Sequence, residues 1–361
     1  ILRHICLFQI VNISSSQWKS TFTYAYTLKP AHTCTHGLQM QWPMFFSDVL
    51  QCVGNGVKES VELYLRVLMA IDEEVVDRQK VHTCAENARN TLIKDTMRDQ
   101  CVPNLVESWY QIMESYKETF PELTNLCMEV VGAYISWIDI SLIANDKFIQ
   151  CLMSYLSVPI LRESAAECLR GIINKGMDPI PKLELVEGLA KQLESAKILS
   201  TVSDEDTDED FRLRLSALVC GMGCALVNSW SKLVKRADTV NIPLSRNAID
   251  EKLPYLYKYL NDTDDGVSEA MVPFAVQYLS ILKGSNLSDT DRGNLQALLQ
   301  VVINKYKYDE DHNFLSQASL FTQCACLRLR TYTAHVSHFY TYSLMNLAPN
   351  LFKPQLACTA T

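Results

Sequence analysis

Acidic residues are missing from both ends of this 361-residue chain. No Asp or Glu precedes Asp48 or follows Asp311. Residues 48–311 therefore hold all 41 acids beside 27 of the 33 basic residues, a net charge of −14. About a quarter of the residues of a soluble domain are usually charged, and disordered tails are typically rich in charge. Neither composition is found at the two ends. We therefore expect residues 1–41 and 315–361 to be gene-model artefacts that are foreign to the central domain. Polar disordered tails are the alternative.

Histidine is scarce, and the motifs of common enzyme classes are missing. His82 is the one histidine in residues 48–311, so this segment has no second histidine that could share acid–base chemistry with it. The sequence contains no phosphate-binding loop, dinucleotide fingerprint, zinc spacing or nucleophile elbow. A scattered set of metal-type residues falls in the C-terminal end, where we discount it: Cys324, Cys326, His335 and His338. We expect a binding protein with no catalytic residue, no cofactor and no metal.

The thirteen cysteines lack the compact spacing that marks a disulfide framework. Eight of them lie in residues 48–311, mostly at apolar helical positions, and we expect free buried thiols in a reducing compartment. Cys220 and Cys224 are one helical turn apart without further ligands, which favours core packing over metal binding. The uncharged run from Leu215 to Ser231 is 17 residues long, short of the roughly 20 that span a bilayer. We expect an inner helix and no membrane insertion.

Helical periodicity runs through the central segment, and no alternating β-branched run accompanies it. Prolines and the Gly54-Asn55-Gly56 sequence interrupt the pattern and separate helices that are joined by short loops. Neighbouring helices pair into units of about 40 residues, the period of HEAT-type repeats. The sequence thus predicts an all-α fold, a HEAT-repeat-like α-solenoid of antiparallel helix pairs over residues 42–314, with a compact helical bundle as the alternative. The predicted helices are 43–53, 58–74, 78–99, 103–118, 121–138, 140–156, 159–174, 181–198, 209–236, 245–260, 265–283 and 290–307.

One predicted helix, residues 78–99, carries a polar stripe. At 100° per residue the members of the stripe fall within about 40° of one another, and Glu86, Asp95 and Asp99 are expected to point elsewhere. A basic stripe can follow the phosphates of a nucleic acid, since each neutralised phosphate releases counterions. A solvated helix face is the alternative. The stripe consists of Lys80, Asn87, Lys94 and Arg98.

Two further segments concentrate charge of one sign. The acidic run, Asp204 to Asp210, packs six acids into seven positions, and such density requires a solvated loop. Its acids are Asp204, Glu205, Asp206, Asp208, Glu209 and Asp210. A second basic cluster ends a long predicted helix, where it can either contact nucleic acid or complement the helix dipole. This cluster comprises Lys232, Lys235 and Arg236.

Four long strings carry a resemblance to a known family: LIKDTMRDQCVPNLVESWYQI (Leu92 to Ile112), EVVGAYISWIDISLIAND (Glu129 to Asp146), NKGMDPI (Asn174 to Ile180) and VNSWSKLVKR (Val227 to Arg236). In these strings the chain closely resembles exportin-T, the tRNA nuclear export receptors of the importin-β superfamily. The resemblance extends over residues 42–314. The chain starts without Met and lacks the N-terminal repeats and C-terminal arch of that superfamily, so we expect a central fragment.

The resemblance implies that the intact protein binds tRNA cooperatively with Ran in its GTP form. It would pass the nuclear pore by contact with pore proteins, release tRNA in the cytoplasm when GTP is hydrolysed, and shuttle between nucleus and cytoplasm. By the same resemblance, the polar stripe is the expected tRNA contact. The acidic run is the expected Ran contact, with a solubilising loop as the alternative. A HEAT-repeat scaffold that binds proteins and no nucleic acid is the alternative for the whole protein.

Overall fold

The computed structural model describes residues 58–76, 83–200, 209–283 and 287–305. The two ends, residues 1–41 and 315–361, and the predicted helix 43–53 lie outside these ranges. The chain divides into two compact units, of which the first ends at Lys175 and the second begins at Gly176.

Within the described ranges the chain forms eleven α-helices and no strand, so the all-α prediction is confirmed. The helices are α1 (Lys58–Ile71), α2 (Cys84–Gln100), α3 (Val102–Tyr116), α4 (Pro121–Ile135), α5 (Asp146–Tyr155), α6 (Arg162–Asn174), α7 (Pro179–Ser195), α8 (Glu209–Lys235), α9 (Asn241–Leu260), α10 (Asp265–Leu282) and α11 (Asp289–Lys305). A π-helical turn, Asp72–Val76, follows α1, and two short 3-10 helices cover Ile140–Leu142 and Ile198–Ser200.

In the first unit, α4 is the central helix and packs against α1, α3 and α6. Trp109 of α3 and Tyr134 of α4 meet edge to face with ring centroids 5.4 Å apart, and neither side chain is exposed. The Tyr134 hydroxyl donates to the Leu68 carbonyl of α1 over 2.9 Å, which satisfies a buried polar group where helices meet. An edge-to-face pair stabilises the contact beyond the area that it buries.

In the second unit, alternate helices stack in chain order. α7 packs against α9 and α9 against α11, while α8 packs against α10. Neighbours along the chain from α7 to α10 also pack against each other. This arrangement is the stacking of helix pairs found in HEAT-like repeats, and the predicted fold class is confirmed.

α8 contains the uncharged run that we predicted to be an inner helix. With its charged ends it has 27 residues, and by length and composition it is long and apolar enough to cross a membrane. Half of its most apolar window is nevertheless buried inside the protein, where α8 packs against α7, α9 and α10. The apolar residues of α8 therefore have partners within the unit, as the prediction of an inner helix requires.

Several helices begin at residues other than those the sequence predicted, and α2, α5 and α9 differ most. α5 begins at Asp146 rather than at residue 140, because Ile140–Leu142 form a short 3-10 helix and the Asn145 side chain then caps α5. α2 begins at Cys84 rather than at residue 78 because Thr83 forms a capping box: the Glu86 amide donates to Thr83 Oγ1, and the Thr83 amide donates to the Glu86 carboxylate. α9 begins at Asn241 rather than at residue 245. Pro243 lies in its first turn, where amides have no intrahelical acceptor and a proline is tolerated.

α8 and α10 approach closely at Gly223. A Cβ atom placed on Gly223 would lie 2.5 Å from ring atoms of Phe274, whose side chain is fully buried in α10. Interiors packed to this density have no room for an additional methyl group. Gly188 of α7 offers the opposite case, because it is exposed and no atom lies within 4 Å of the corresponding Cβ position.

We expect Gly223→Ala to lower the free energy of unfolding by about 1–3 kcal/mol, since the methyl group must displace the Phe274 ring. Gly188→Ala should raise it by about 0.5–1 kcal/mol, because alanine favours the helix and meets no neighbour. Urea unfolding followed by circular dichroism measures both. Equal shifts in the two variants would contradict the close contact between α8 and α10.

Candidate nucleic-acid and partner interfaces

Three of the four residues of the polar stripe lie on α2. Asn87, Lys94 and Arg98 are seven and four residues apart on this helix, so they share one face. Asn87 and Arg98 are exposed, and Lys94 is half-buried. Lys80 lies outside the described residues and precedes Thr83, the N-cap of α2. The shared helix face is therefore described for Asn87, Lys94 and Arg98.

Arg98 is held by contacts within its own unit. Its Nη1 donates to the Asp95 carboxylate over 2.6 Å, and its Nε donates to the Trp137 carbonyl over 3.1 Å. The guanidinium carbon lies 5.6 Å from the centre of the Trp137 ring. The prediction that Asp95 points elsewhere is wrong, because residues three apart on a helix are neighbours. Lys94, by contrast, forms no ion pair or hydrogen bond with its side chain in the described part of the protein.

A second cation lies near Arg98. Lys175 donates from Nζ to the Ser136 carbonyl over 2.7 Å. Burial lowers the pKa of Lys175, the charge of Arg98 lowers it further, and Asp139 acts in the opposite direction. Arg98 and Lys175 thus both contact carbonyls just beyond the C-terminal end of α4, where a helix attracts cations. Because Asp95 and Asp139 lie beside these two cations, this face has little excess positive charge.

The acidic run is only partly described. Glu209 and Asp210 begin α8 and are exposed. A hydrogen bond to Asp264, and then the charge of Asp264, raises the pKa of Glu209, so Glu209 lies beside the turn between α9 and α10. That turn, Asp262 to Asp265, was missed by sequence reasoning, although the string NDTDD marks it. The other acids of the run lie outside the described residues: Asp204, Glu205, Asp206 and Asp208.

Two cations partly neutralise this side of the second unit. Arg212 Nε lies 3.7 Å from Asp262 Oδ2, and Lys305 Nζ lies 3.1 Å from Asp265 Oδ1. Asp264 instead caps α10 by accepting a hydrogen bond from a backbone amide over 2.7 Å. The remaining charge is negative. We name this group of residues the acidic surface: Glu209, Asp210, Asp262, Asp264 and Asp265.

Basic residues gather at the opposite end of α8. Arg236 forms a two-point ion pair with Asp178, which directly precedes α7, over 2.7 and 3.2 Å. Lys232 and Lys235 are exposed. Lys182 of α7 is buried, and this burial, followed by the charge of Lys232, lowers the pKa of Lys182 to about 8. We name this group the basic corner: Lys182, Lys232, Lys235 and Arg236.

The described residues form no metal-type cluster of three or more His, Cys, Asp or Glu side chains. Seven described cysteines are free thiols, and five of these are buried. Burial raises the pKa of Cys127 and of Cys168, the reverse of what a reactive thiol requires. The Sγ atoms of Cys220 and Cys224 lie 3.9 Å apart in α8. These thiols belong to helix packing.

Two family profiles match the sequence. The profile described as Exportin 1-like protein matches residues 31–169, and the profile described as Exportin-T matches residues 243–336. The first match includes α2 and the polar stripe, and the second includes the acidic turn between α9 and α10.

Curated relatives named Exportin-T match across eukaryotes. The chain is 50% identical over 275 residues to Exportin-T of Homo sapiens, a match that covers 76% of this chain and 28% of the relative. Exportin-T of Danio rerio is 48% identical over 274 residues, which are 76% of this chain and 28% of that relative. Exportin-T of Dictyostelium discoideum is 34% identical over 271 residues, which are 74% of this chain and 24% of that relative. The chain thus spans about a quarter of the length of the curated relatives that it matches.

We expect Arg98→Ala to destabilise the first unit by about 1 kcal/mol, because it removes the hydrogen bond to the Trp137 carbonyl and the contact with the ring. Lys94→Ala should change the free energy of unfolding by less than about 0.5 kcal/mol, since Lys94 makes no such contact. Urea unfolding of both variants measures the difference. Equal losses would contradict the structural role assigned to Arg98.

We expect Lys182→Met to raise the free energy of unfolding at neutral pH, because the folded protein buries a charged ammonium group. The pKa of about 8 lies below the ordinary value of 10.5, so between these values the unfolded state binds more protons and stability rises with pH. The advantage of the variant should therefore shrink from pH 8 to pH 10.5.

Urea unfolding of wild type and Lys182→Met across this pH range tests the sign. The buried thiols of Cys127 and Cys168 have a raised pKa, which acts in the opposite direction as pH rises. Both proteins carry these thiols, so the difference between the two curves isolates Lys182. A difference that stays constant with pH would contradict the lowered pKa.

Proposed function

Because the chain belongs to the exportin-T family of the importin-β superfamily, we propose that it is part of a nuclear export receptor for tRNA. The whole protein binds mature tRNA together with Ran in its GTP form, passes the nuclear pore by contacts with pore proteins, and shuttles between nucleus and cytoplasm. Hydrolysis of GTP by Ran releases the tRNA. The helical chain itself acts by binding and not by catalysis.

The observation that carries this proposal is the 50% identity over 275 residues to a protein named Exportin-T. The described residues of this chain include the strings of α2, α3 and α4 that carry the resemblance. The fold supports the proposal as well, because stacked helix pairs form extended surfaces on which large ligands can lie. We further propose that residues 42–314 form the receptor part of the chain and that residues 1–41 and 315–361 do not belong to it, although the two profile matches extend outward to residues 31 and 336.

For the tRNA contact we propose the polar stripe: Lys80, Asn87, Lys94 and Arg98. Lys94 is the cation of this stripe whose side chain has no partner among the described residues, so it can bind a phosphate without breaking an existing ion pair. Arg98 would have to exchange Asp95 for a phosphate, and its contact with Trp137 would hold it in place. A-form RNA is recognised mainly through its backbone and 2′-hydroxyl groups, for which such a polar helix face is suited.

For the contact with Ran we propose the acidic run together with the acidic surface. The acids of the run are Asp204, Glu205, Asp206, Asp208, Glu209 and Asp210. Glu209 lies beside Asp264, so the described acids of the run and of the turn form one negative area, which favours binding to a basic patch on a partner. Since tRNA and Ran contact different residues, their cooperation is a coupling free energy between sites and must be reciprocal.

The proposal is tested by a pull-down of tRNA with the chain restored to full length, with and without Ran held in its GTP form. We expect tRNA to be retained with Ran-GTP and to be lost without it. Lys94→Ala should reduce the retained tRNA several-fold, since it removes one phosphate contact. Lys191→Ala serves as the matched control, because Lys191 is an exposed lysine on α7, outside every proposed surface.

A folded full-length protein that retains no tRNA under either condition would contradict the proposal and leave a protein-binding scaffold. Retention that is indifferent to Ran-GTP would contradict the cooperative part. Equal effects of Lys94→Ala and Lys191→Ala would remove the polar stripe as the tRNA contact while leaving the export function intact.

A further inference from the structure

The lysines of the basic corner are not needed to complete α8. The last carbonyls of this helix accept backbone amides instead: the Asp238 amide donates to the Leu233 carbonyl over 3.1 Å, and the Ala237 amide donates to the Val234 carbonyl over 3.0 Å. Ala237 adopts a φ of 55°, the left-handed conformation that closes a helix in this way. Capping of the helix end therefore does not account for three basic residues in its last turn and just beyond.

Two charges of the basic corner also lack an ion-pair partner in the described part of the protein. Lys232 and Lys235 are exposed, and neither forms an ion pair with any described residue. Lys182 lies close enough to Lys232 for the two charges to repel, so the buried lysine adds to the positive potential of the exposed one. The third exposed cation, Arg236, binds the Asp178 carboxylate. Arg98 on α2 is different, since Asp95 and the Trp137 carbonyl already engage it.

We propose that the basic corner is a phosphate-binding site for the RNA backbone, separate from the polar stripe on α2. The inference rests on the proposed function, because it names a further contact for the same RNA. Lysine ammonium groups bind phosphate as point charges without reading a base, so this site adds affinity that is independent of sequence. Arg236 can offer two parallel donors to one phosphate, as it now does to the Asp178 carboxylate.

Asp178 gives the site an internal competitor. Its carboxylate accepts from both Nη atoms of Arg236, and Arg236 and Lys232 hold its pKa below the usual value. A phosphate of the RNA must therefore displace Asp178 or share Arg236 with it. Asp178→Asn keeps a residue that is suited to precede a helix, and it removes the competing charge. This variant should strengthen binding, a result that partial unfolding cannot produce.

The experiment measures the dissociation constant of tRNA for the full-length protein with Ran-GTP at several salt concentrations. Lys232→Gln/Lys235→Gln should weaken binding about tenfold at low salt and reduce the slope of log Kd against log salt by about one to two. Asp178→Asn should tighten binding several-fold. Lys191→Gln, with one exposed lysine of α7 neutralised, should leave affinity and slope unchanged. Circular dichroism of each variant confirms that it is folded.

Wild-type affinity and slope in the double variant, or no gain in Asp178→Asn, would overturn the inference and leave the proposed function standing. Loss of Ran-GTP binding by the double variant in the absence of tRNA would also overturn it, because the corner would then contact protein. Failure of the wild-type protein to bind tRNA would overturn the proposed function, and the inference with it.

Discussion

Close packing of a helix against neighbours on several sides is the constraint on which the rest of the structure depends. α8 packs against α7, α9 and α10, and it approaches α10 so closely that only glycine fits opposite Phe274. In the first unit, α4 is likewise packed against helices on several sides. Its Tyr134 ring contacts Trp109, and its hydroxyl donates to the Leu68 carbonyl. Each helix can bury its apolar face only if its neighbours are in place, so the polar ends and outer faces remain for binding.

Charge is distributed over these remaining surfaces unevenly. In the second unit, one end of α8 carries the acidic surface, and the last turn of the same helix begins the basic corner. A helix of 27 residues is about 40 Å long at the usual rise, so the two groups are separated by far more than a screening length. A single helix thus carries opposite charges at its two ends. The net negative charge of the central segment is compatible with the proposed RNA contacts, because the local excess of charge decides such binding.

Periodicity and resemblance were sufficient to predict the fold class and most helices, because most helices have an apolar face and the breaks between them fall at prolines or caps. The start of α2 was not predicted, because the polar sequence runs without a break through Thr83, where a capping box begins the helix. The polar stripe was predicted from angles on one helix. The charge of Arg98 is balanced by Asp95 and by a carbonyl just beyond α4. The second contact joins residues 39 apart in the sequence, and a helical wheel of α2 cannot show it. The string NDTDD marks the acidic turn in the sequence, but its place beside Glu209 is set by the fold.

The most direct test of this account is hydrogen exchange of the full-length protein, alone and with tRNA and Ran-GTP. When a partner covers a surface, the backbone amides of its exposed helix ends and loops exchange more slowly. The exchange of amides in buried helices changes little. The account predicts slower exchange in α2 and in the segments around the acidic run and the Asp262–Asp265 turn, with α4 unaffected. A stable complex that leaves exchange in all of these segments unchanged would contradict it.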